Sequence, residues 1–408
     1  MPFTRFGVFA RSQLSRACLF LLCLAWLAFG QQAGVAGSSD PSQAPPSTPK
    51  GPVLQQRPAP KPAGIQLDVV VSDKQGSPVS GLEMKDFTVL DNKTPQNVLS
   101  FLSGQSGGHL QPGNSVEIIL LLDLVNTPFE QAAATQAEMV KFLQQNGGHL
   151  AYPTSIAIFS NDNLRLQPTP STDGNHLAAA LNATAHAIGS TVSHLDEVAR
   201  FQLSLRTLLS IAQNEAKTPA HKILIWTGPG WPLLVGSKYG ASPQDRQRYF
   251  DVIVAASTAL REAHLALYSV SLRGAVKGGA SAIAPPQPYY TPNAEAPMQS
   301  RPSVPRASDA VDGSSYKEFL KEVKNAREAN SGALALQVFA VQSGGRVLDP
   351  GNGLTGQLAR CVEDAAAFYR ISFHPDPAVH ADDYHELKVE IGRPGLVART
   401  SAGFYNQP

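Results

Sequence analysis

A carboxylate, an amide and a hydroxyl follow a run of apolar residues in the stretch EIILLLDLVNTPFEQ, residues 117–131. Five apolar residues, Ile118–Leu122, precede Asp123, and the next polar side chains are Asn126 and Thr127. An uninterrupted apolar run is typical of a strand that is covered on both faces of a parallel sheet. In open α/β sheets, ligands bind outside the carboxyl ends of the strands. The stretch therefore predicts a ligand-binding site that contains Asp123, Asn126 and Thr127.

Two other short segments contain residue types that occur in metal or catalytic sites. HADDYHE, residues 380–386, has two histidines and three acids, but His380 and His385 would face opposite sides of a strand. A polar turn that enters a strand explains this segment better than a metal cluster. SHLDE, residues 193–197, has the residue types of a catalytic triad, but triads are assembled from separate elements. We interpret it as the start of a helix and predict no catalytic residue.

The segment GPGWP, residues 228–232, is predicted to form a rigid loop at a strand end, with Trp231 as a contact residue for a partner. The sequence contains no phosphate loop, no dinucleotide-binding fingerprint and no zinc-binding spacing. Its formal net charge of +1 gives no electrostatic footprint for nucleic acid or an anionic membrane. These observations argue against a nucleic-acid-binding protein.

The N-terminal residues differ from the rest of the chain. Three arginines precede the apolar run ACLFLLCLAWLAF at 17–29, which is short for a membrane span. The residues at 28–30 resemble the pattern before a signal-peptidase site. We predict a signal peptide over 1–30 and secretion to the periplasm or the extracellular space. The alternative is an uncleaved segment, which would be the chain's contact with the membrane.

Cleavage at this point would also remove Cys18 and Cys23 and leave Cys361 as the remaining cysteine. No intramolecular disulfide could then form. Cys361 lies in the helical pattern LARCVEDAAAFY, which favours a small buried apolar residue.

The composition changes several times along the remaining chain. Residues 31–63 are rich in Pro, Ser and Gln, which predicts a flexible spacer. Residues 64–104 and 350–408 contain short strand patterns, too few in either segment for a separate core, and we predict that they close into one β-sandwich. Residues 115–349 alternate apolar β-rich runs with helical patterns, which favours an α/β fold with a doubly wound, mainly parallel sheet. Within that region, 274–315 lack periodicity and are predicted to be a disordered insertion. The helical pattern resumes with YKEFLKEVKNAREA, residues 316–329, which predicts a helix there.

In this order, four segments of the chain resemble the von Willebrand factor A-related proteins that are abundant in Acidobacteria. The segments are VVVSDKQGSPVSGLEMKDFTVLDNKTPQNVLSF, VEIILLLDLVNTPFEQ, VQSGGRVLDP, and FYRISFHP followed by DDYHELKVEIGRPGLVARTSAGFY. The resemblance implies a von Willebrand factor A-like, Rossmann-type domain. It also implies a role in adhesion through a protein partner, whose identity the sequence does not indicate.

Domains of this family commonly carry a metal-ion-dependent adhesion site, in which oxygen ligands hold a divalent ion such as Mg²⁺. Its first segment is Asp-x-Ser-x-Ser, and Asp123 and Thr127 match the Asp and the second hydroxyl. Thr191 matches the Thr of a later loop. Val125 stands where the first Ser is expected, and Gly228 stands where the third segment has an Asp. With two of the five donors missing, the resemblance predicts a degenerate site that binds no divalent cofactor tightly.

We therefore predict a secreted, non-enzymatic protein-binding or adhesion module, and two alternatives remain open. One is a hydrolase whose site includes Asp123 and His194, which would require a nucleophile and a base within hydrogen-bonding distance. The other is a structural component of the cell envelope. If no metal binds, Asp123 is expected to cap the turn and helix that follow it, with Asn126 and Thr127 satisfying backbone donors.

Overall fold

The computed structural model describes residues 64–103, 115–183, 195–231, 242–272, 315–348, 351, 353–375 and 380–406. The predicted signal peptide, the predicted spacer and nearly all of the predicted insertion at 274–315 lie outside these residues. Thr191 and His194 lie outside them as well.

Strands and helices alternate in the central part of the described chain and give way to strands at both ends. In chain order the strands are β1 (Ile65–Ser72), β2 (Phe87–Asp91), β3 (Thr94–Gln96), β4 (Val98–Ser103), β5 (Val116–Asp123), β6 (His149–Phe159), β7 (Leu164–Leu166), β8 (Ser171–Asp173), β9 (His221–Thr227), β10 (Leu265–Val270), β11 (Arg346–Val347), β12 (Phe368–Phe373), β13 (Asp383–Ile391), β14 (Val397–Arg399) and β15 (Gly403–Asn406). The α-helices are α1 (Phe129–Leu143), α2 (Gly174–Asn182), α3 (Glu197–Glu215), α4 (Pro243–Glu262), α5 (Leu336–Gln342) and α6 (Gly353–Ala365). Short 3-10 helices lie at Met84–Asp86, Gln145–Gly148, Ser315–Phe319 and Ser331–Leu334. Across the described ranges, no helix combines the length and the apolar character that a membrane crossing requires.

The central sheet has the order β11-β10-β9-β5-β6-β7, with β8 paired to β6. Strands β11, β10, β9, β5 and β6 run parallel, and β7 and β8 run antiparallel to β6. Strand β5 has apolar side chains on both of its faces, and helices cover each face. Ile119 and Leu121 pack on one face with residues of α3, α4 and α5. Ile118, Leu120 and Leu122 pack on the other face with residues of α1, α2 and α6. This is the doubly wound arrangement that the sequence predicts.

The strands from the two ends of the chain form two four-stranded antiparallel sheets, β14-β1-β12-β4 and β15-β13-β2-β3. N-terminal and C-terminal strands alternate in the first sheet, where β1 lies between β12 and β14, and they meet once in the second sheet, where β2 pairs with β13. A shared core lies between the sheets and includes Leu67, Val69, Phe87, Tyr369 and Phe373. The predicted fold class, a mainly parallel α/β sheet with a β-sandwich built from both termini, is confirmed.

Strand β1 has two buried faces. Leu67 and Val69 point into the sandwich core, whereas Val70 packs in the core on one face of the central sheet. Asp68 belongs to this second face, because side chains alternate along a strand. The carboxylate of Asp68 accepts a hydrogen bond from Arg370 Nε at 2.7 Å and lies 2.9 Å from His221 Nδ1. Asp68 therefore joins the sandwich to the start of β9.

One predicted helix is absent. The helical pattern YKEFLKEVKNAREA, residues 316–329, forms a 3-10 helix only as far as Phe319 and then a series of turns. Side chains take up backbone donors in these turns: Lys324 N donates to Glu328 Oε2 at 2.9 Å, and Arg327 N donates to Asn325 Oδ1 at 3.0 Å. Local bonds of this type compete with helical hydrogen bonds. The helix prediction for this segment is wrong for that reason.

Replacement of Asp68 by Asn is expected to lower the free energy of unfolding at pH 7 by about 3–5 kcal/mol, because it leaves the buried Arg370 without its counter-charge. The pH dependence should change as well. Burial by itself raises the pKa of Asp68, but His221, His264 and Arg370 together hold this pKa well below its usual range. Such a carboxylate stabilises the folded state above the unfolded pKa of about 3.9, and the stabilisation is lost as the pH falls through the folded pKa.

Urea denaturation at pH 7 and at a series of lower pH values measures both effects. The native protein should lose stability below about pH 4 more steeply than Asp68→Asn. Glu390→Gln is the matched control, because it removes an acid from an exposed pair with Lys388 in the same sandwich and should change little. Equal losses in the two variants at pH 7 would contradict the role assigned to Asp68.

Candidate functional site at the carboxyl end of the central sheet

Asp123 is the last residue of β5 and lies in the middle of the central sheet. Its neighbour in β6 is Phe159, and β9 ends alongside at Thr227, which is paired with Leu122. The chain then turns through residues 124–128 into α1. The predicted site is therefore at the edge where parallel strands end, as the apolar run before Asp123 indicates.

The carboxylate of Asp123 is fully buried and accepts four hydrogen bonds. Oδ1 accepts from the backbone N–H groups of Val125 and Asn126, each at 2.9 Å. Oδ2 accepts from Asn126 Nδ2 and from Trp226 Nε1, again at 2.9 Å. A carboxylate has about four acceptor positions, so N–H groups occupy all of them. Burial raises the pKa of Asp123, and the bonds from Asn126, Trp226 and Val125 act against that rise.

The residues around Asp123 do not fit a divalent ion. Such an ion requires oxygen atoms that are free to coordinate it, whereas both oxygens of Asp123 are taken by N–H donors. Val125, in place of a hydroxyl, is buried in the core. Gly228 has φ 153°, and a Cβ atom there would lie 2.9 Å from Thr127 Oγ1 and 3.2 Å from Asp123 Cβ. A second carboxylate, at 228, would therefore have no room without movement of its neighbours.

Asn126 and Thr127 keep polar atoms that are not used within the protein. Asn126 Nδ2 also donates to Ser204 Oγ on α3 at 3.0 Å, but Asn126 Oδ1 and Thr127 Oγ1 are buried without a hydrogen-bond partner. Buried polar atoms are nearly always paired with protein or water. At this end of the sheet, the amide oxygen and the hydroxyl are thus the groups with unused hydrogen-bonding capacity.

Trp231 is a packing residue in this structure. It is 5% exposed, and its Nε1 donates to Leu334 O at 2.8 Å. The indole meets that of Trp226 edge to face, with 5.3 Å between the ring centroids. Gly228 and Gly230 both have positive φ, which lets the loop bring the indole into the core. The role of Trp231 as a contact residue for a partner stays a prediction, and in this structure its indole packs in the core.

The most exposed aromatic residue near Asp123 is one that the sequence analysis did not select. Phe129 is the first residue of α1 and is 52% exposed. Helical spacing places it three residues before the buried Ala132, so periodicity alone predicts that it is covered. The sequence therefore offered no signal for its exposure.

The segment HADDYHE contains a structural histidine. Residues 380–382 form a turn before β13, as predicted. His385 is buried on β13, with its Nδ1 2.8 Å from Asp91 Oδ1 on β2, and its ring stacks on Phe404 at 4.6 Å. His385 thus links two strands of the sandwich.

The part of SHLDE that the structure describes forms a helix cap. Asp196 is the N-cap of α3, and its Oδ1 accepts from Ala199 N at 2.8 Å. Ser193 and His194 lie outside the described residues. Throughout the described ranges, no three His, Cys, Asp or Glu side chains are grouped in a way that could hold a metal ion.

The sequence matches no protein-family model and no curated protein. Similar solved structures include an aerotolerance-related membrane protein from Bacteroides fragilis NCTC 9343, which is 14% identical with a TM-score of 0.30, and the match covers 61% of this chain and 98% of that one. The manganese-loaded TRAP protein of Plasmodium vivax is 9% identical with a TM-score of 0.28, covering 74% and 97%. The pilus adhesin SpaC of Lactobacillus rhamnosus GG is 8% identical with a TM-score of 0.32, covering 79% of this chain but 49% of the adhesin. At these identities and TM-scores, the similarities carry no argument about what the chain does.

Replacement of Asp123 by Ala is expected to lower the free energy of unfolding by about 3–5 kcal/mol, since each buried donor left unpaired costs about 1–3 kcal/mol and the four costs are not additive. Urea denaturation at pH 7 measures the loss. Asp162→Ala is the control, because Asp162 is exposed in the loop between β6 and β7 and a change there should stay within about 0.5 kcal/mol. Similar losses in both variants would show that Asp123 is not the acceptor that holds this turn together.

Proposed function

We propose that the chain is a secreted, non-enzymatic protein-binding module of the adhesion type that its sequence resemblance implies. In this proposal it binds a protein partner through the surface at the carboxyl ends of the central strands, without a divalent ion. The observation that carries the proposal is the exposure of Phe129 directly after the turn that Asp123 fixes.

The exposed ring of Phe129 suits a protein contact. Large apolar side chains that remain uncovered at the ligand-binding end of an α/β sheet are candidates for burial by a partner. Residues that contribute most to binding energy are often aromatic and surrounded by polar groups. Asn126 and Thr127, with a buried unpaired amide oxygen and a buried unpaired hydroxyl, lie three and two residues before Phe129. A partner with an apolar pocket would match the exposed ring of Phe129.

The hydrogen-bonding pattern around Asp123 supports a mode of binding that uses no metal. In the family's adhesion site, the ion leaves one position for a carboxylate of the partner. In this chain the acceptor positions of Asp123 are filled by Val125, Asn126 and Trp226. We therefore regard the site as degenerate, with Asp123 acting as an internal cap.

The histidines and the cysteine support a non-enzymatic role over the hydrolase alternative. Hydrogen bonds from the imidazoles of described histidines go to the carboxylates of Asp68 and Asp91, and none joins a hydroxyl or a thiol. Cys361 is fully buried, and this burial raises its pKa well above the usual range. A thiol of that kind is a poor nucleophile at neutral pH.

The native protein is expected to show no rise in melting temperature in millimolar Mg²⁺ or Ca²⁺. A ligand that binds the folded state raises stability by RT ln(1 + [L]/Kd), so even a site of modest affinity would be detected by thermal denaturation. The double substitution Val125→Ser with Gly228→Asp is not expected to create such a rise, because the new side chain at 228 would meet Thr127 Oγ1 and Asp123.

Calorimetric titration with Mg²⁺ provides the second measurement. Saturable Mg²⁺ binding to the native protein that disappears in Asp123→Ala and persists in Asp162→Ala would contradict the proposal that the site is degenerate.

Phe129→Ala is expected to weaken association with the partner at least tenfold. Truncation of a central aromatic contact costs about 2 kcal/mol or more, and 1.4 kcal/mol corresponds to a factor of ten in affinity. The partner is sought by screening secreted and envelope proteins against the immobilised chain, and Kd is then measured by surface plasmon resonance. The melting temperature of the variant should equal that of the native protein.

Leu99→Ala is the matched control, because Leu99 is also 52% exposed but lies on β4 of the sandwich. It should leave Kd unchanged. A loss of affinity in Leu99→Ala but not in Phe129→Ala would place the binding surface on the sandwich instead.

A further inference from the structure

A cavity of about 50 Å³ lies between the sandwich and the central sheet, away from Asp123. Its walls include Asp68 of β1, His221 of β9, and both Arg261 and His264 at the end of α4. A single water molecule needs roughly 10–15 Å³ of such space. The cavity is therefore large enough for a few waters or for one small ion.

Arg261 is a partly buried cation whose ion pair is long and largely exposed to solvent. Its side chain is 18% exposed, and its nearest acid is Glu262, whose Oε1 lies 3.6 Å from Arg261 Nη2, beyond hydrogen-bonding distance. Arg261 Nε is buried and makes no hydrogen bond. Burial lowers the pKa of Arg261. A charged group removed from water is costly unless it is closely paired, and the carboxylate of Glu262, which is 60% exposed, offsets the charge of Arg261 only weakly.

Asp68 is the acid that lines the cavity, but its oxygens are already used. Arg370 donates to Oδ1 from Nε at 2.7 Å and to Oδ2 from Nη2 at 3.3 Å. His221 Nδ1 lies 2.9 Å from Oδ2, and His264 Nδ1 lies 3.5 Å from the same oxygen. Asp68 therefore offsets mainly the charge of Arg370.

The imidazoles add hydrogen-bonding capacity to the same walls. His221 is 1% exposed, and its Nε2 has no hydrogen-bond partner. His264 is also close to Asp68, through Nδ1 at 3.5 Å. An imidazole nitrogen donates to an anion when it carries a proton. The cavity thus combines a weakly paired guanidinium with imidazoles whose second nitrogen donates to an anion when the ring is doubly protonated.

We propose that this cavity binds a small oxyanion, of the size of phosphate or a carboxylate group, with Arg261 as the principal charged contact. The planar guanidinium can donate two parallel N–H bonds to a phosphate or a carboxylate. His221 Nε2, which has no hydrogen-bond partner, supplies a further donor when the ring is doubly protonated. The bound anion would complete the charge balance at the junction between the sandwich and the central sheet.

The test is thermal denaturation of the full chain at pH 7 in phosphate and, separately, in acetate, with ionic strength held constant by NaCl. Phosphate at ten times its Kd is expected to raise the melting temperature of the native protein by about 2–4 °C. Arg261→Gln should lose this rise. Arg248→Gln should retain it, since Arg248 lies on the same helix with its side chain 79% exposed.

Two outcomes would overturn the proposal. An equal rise in the native protein and in Arg261→Gln would identify a general effect of the salt on protein stability. The absence of any rise with either anion would show that the cavity binds neither. Should Arg261→Gln fail to fold, calorimetric titration of the native protein and of Arg261→Lys with phosphate decides the question. Saturable binding that Arg261→Lys weakens supports the site, and the lack of saturable binding by the native protein refutes it.

Discussion

The carboxylate of Asp68 connects the two parts of the fold, because groups from three different segments meet on it. Arg370 reaches it from β12, His221 from the first position of β9, and His264 from the turn after α4. Arg370 also donates to Pro219 O at 2.8 Å. Leu67 and Val69 of β1 pack in the sandwich core. The same strand therefore forms part of the sandwich and, through Asp68, holds it against the central sheet. A buried pair of this kind sets geometry more reliably than it adds stability.

Two further buried aspartates show how the partners of a carboxylate determine its role. Asp364 on α6 accepts from Tyr268 Oη at 2.9 Å and forms ion pairs with Arg399 at 2.6 Å and Arg346 at 3.1 Å, so it joins a helix to three strands. The donors to Asp123 are neutral N–H groups, and three of the four belong to the nearby residues Val125 and Asn126. Asp364 therefore links distant elements, whereas Asp123 mainly shapes one turn. That difference is the physical basis for treating Asp123 as a cap.

The sequence predicted those features that follow from the periodic spacing of its apolar residues. The apolar run of β5 and the alternation in β1 and β13 indicate which faces are covered, and the fold class follows from them. Pairings between distant residues leave no such pattern: Trp226 meets Asp123 across 103 positions, and His385 meets Asp91 across 294. The helix expected at 316–329 failed because side-chain hydrogen bonds replaced helical ones there. Because Trp226 and Asp123 are far apart in the sequence, the sequence located the candidate site but did not show that Trp226 Nε1 donates to Asp123.

The hydrogen bond from Trp226 Nε1 to Asp123 affects the way in which a partner would be held in the proposed mode of binding. A divalent ion would tie a partner to the chain by one strong, directional bond to a carboxylate. When N–H groups fill the acceptor positions instead, the turn is held rigid from within, and Trp226 is in turn packed by Phe159 and Trp231. An exposed side chain such as Phe129 that follows a rigid turn loses little conformational entropy when a partner covers it. In the proposed mode, affinity thus comes from burial of an aromatic ring on a preorganised support.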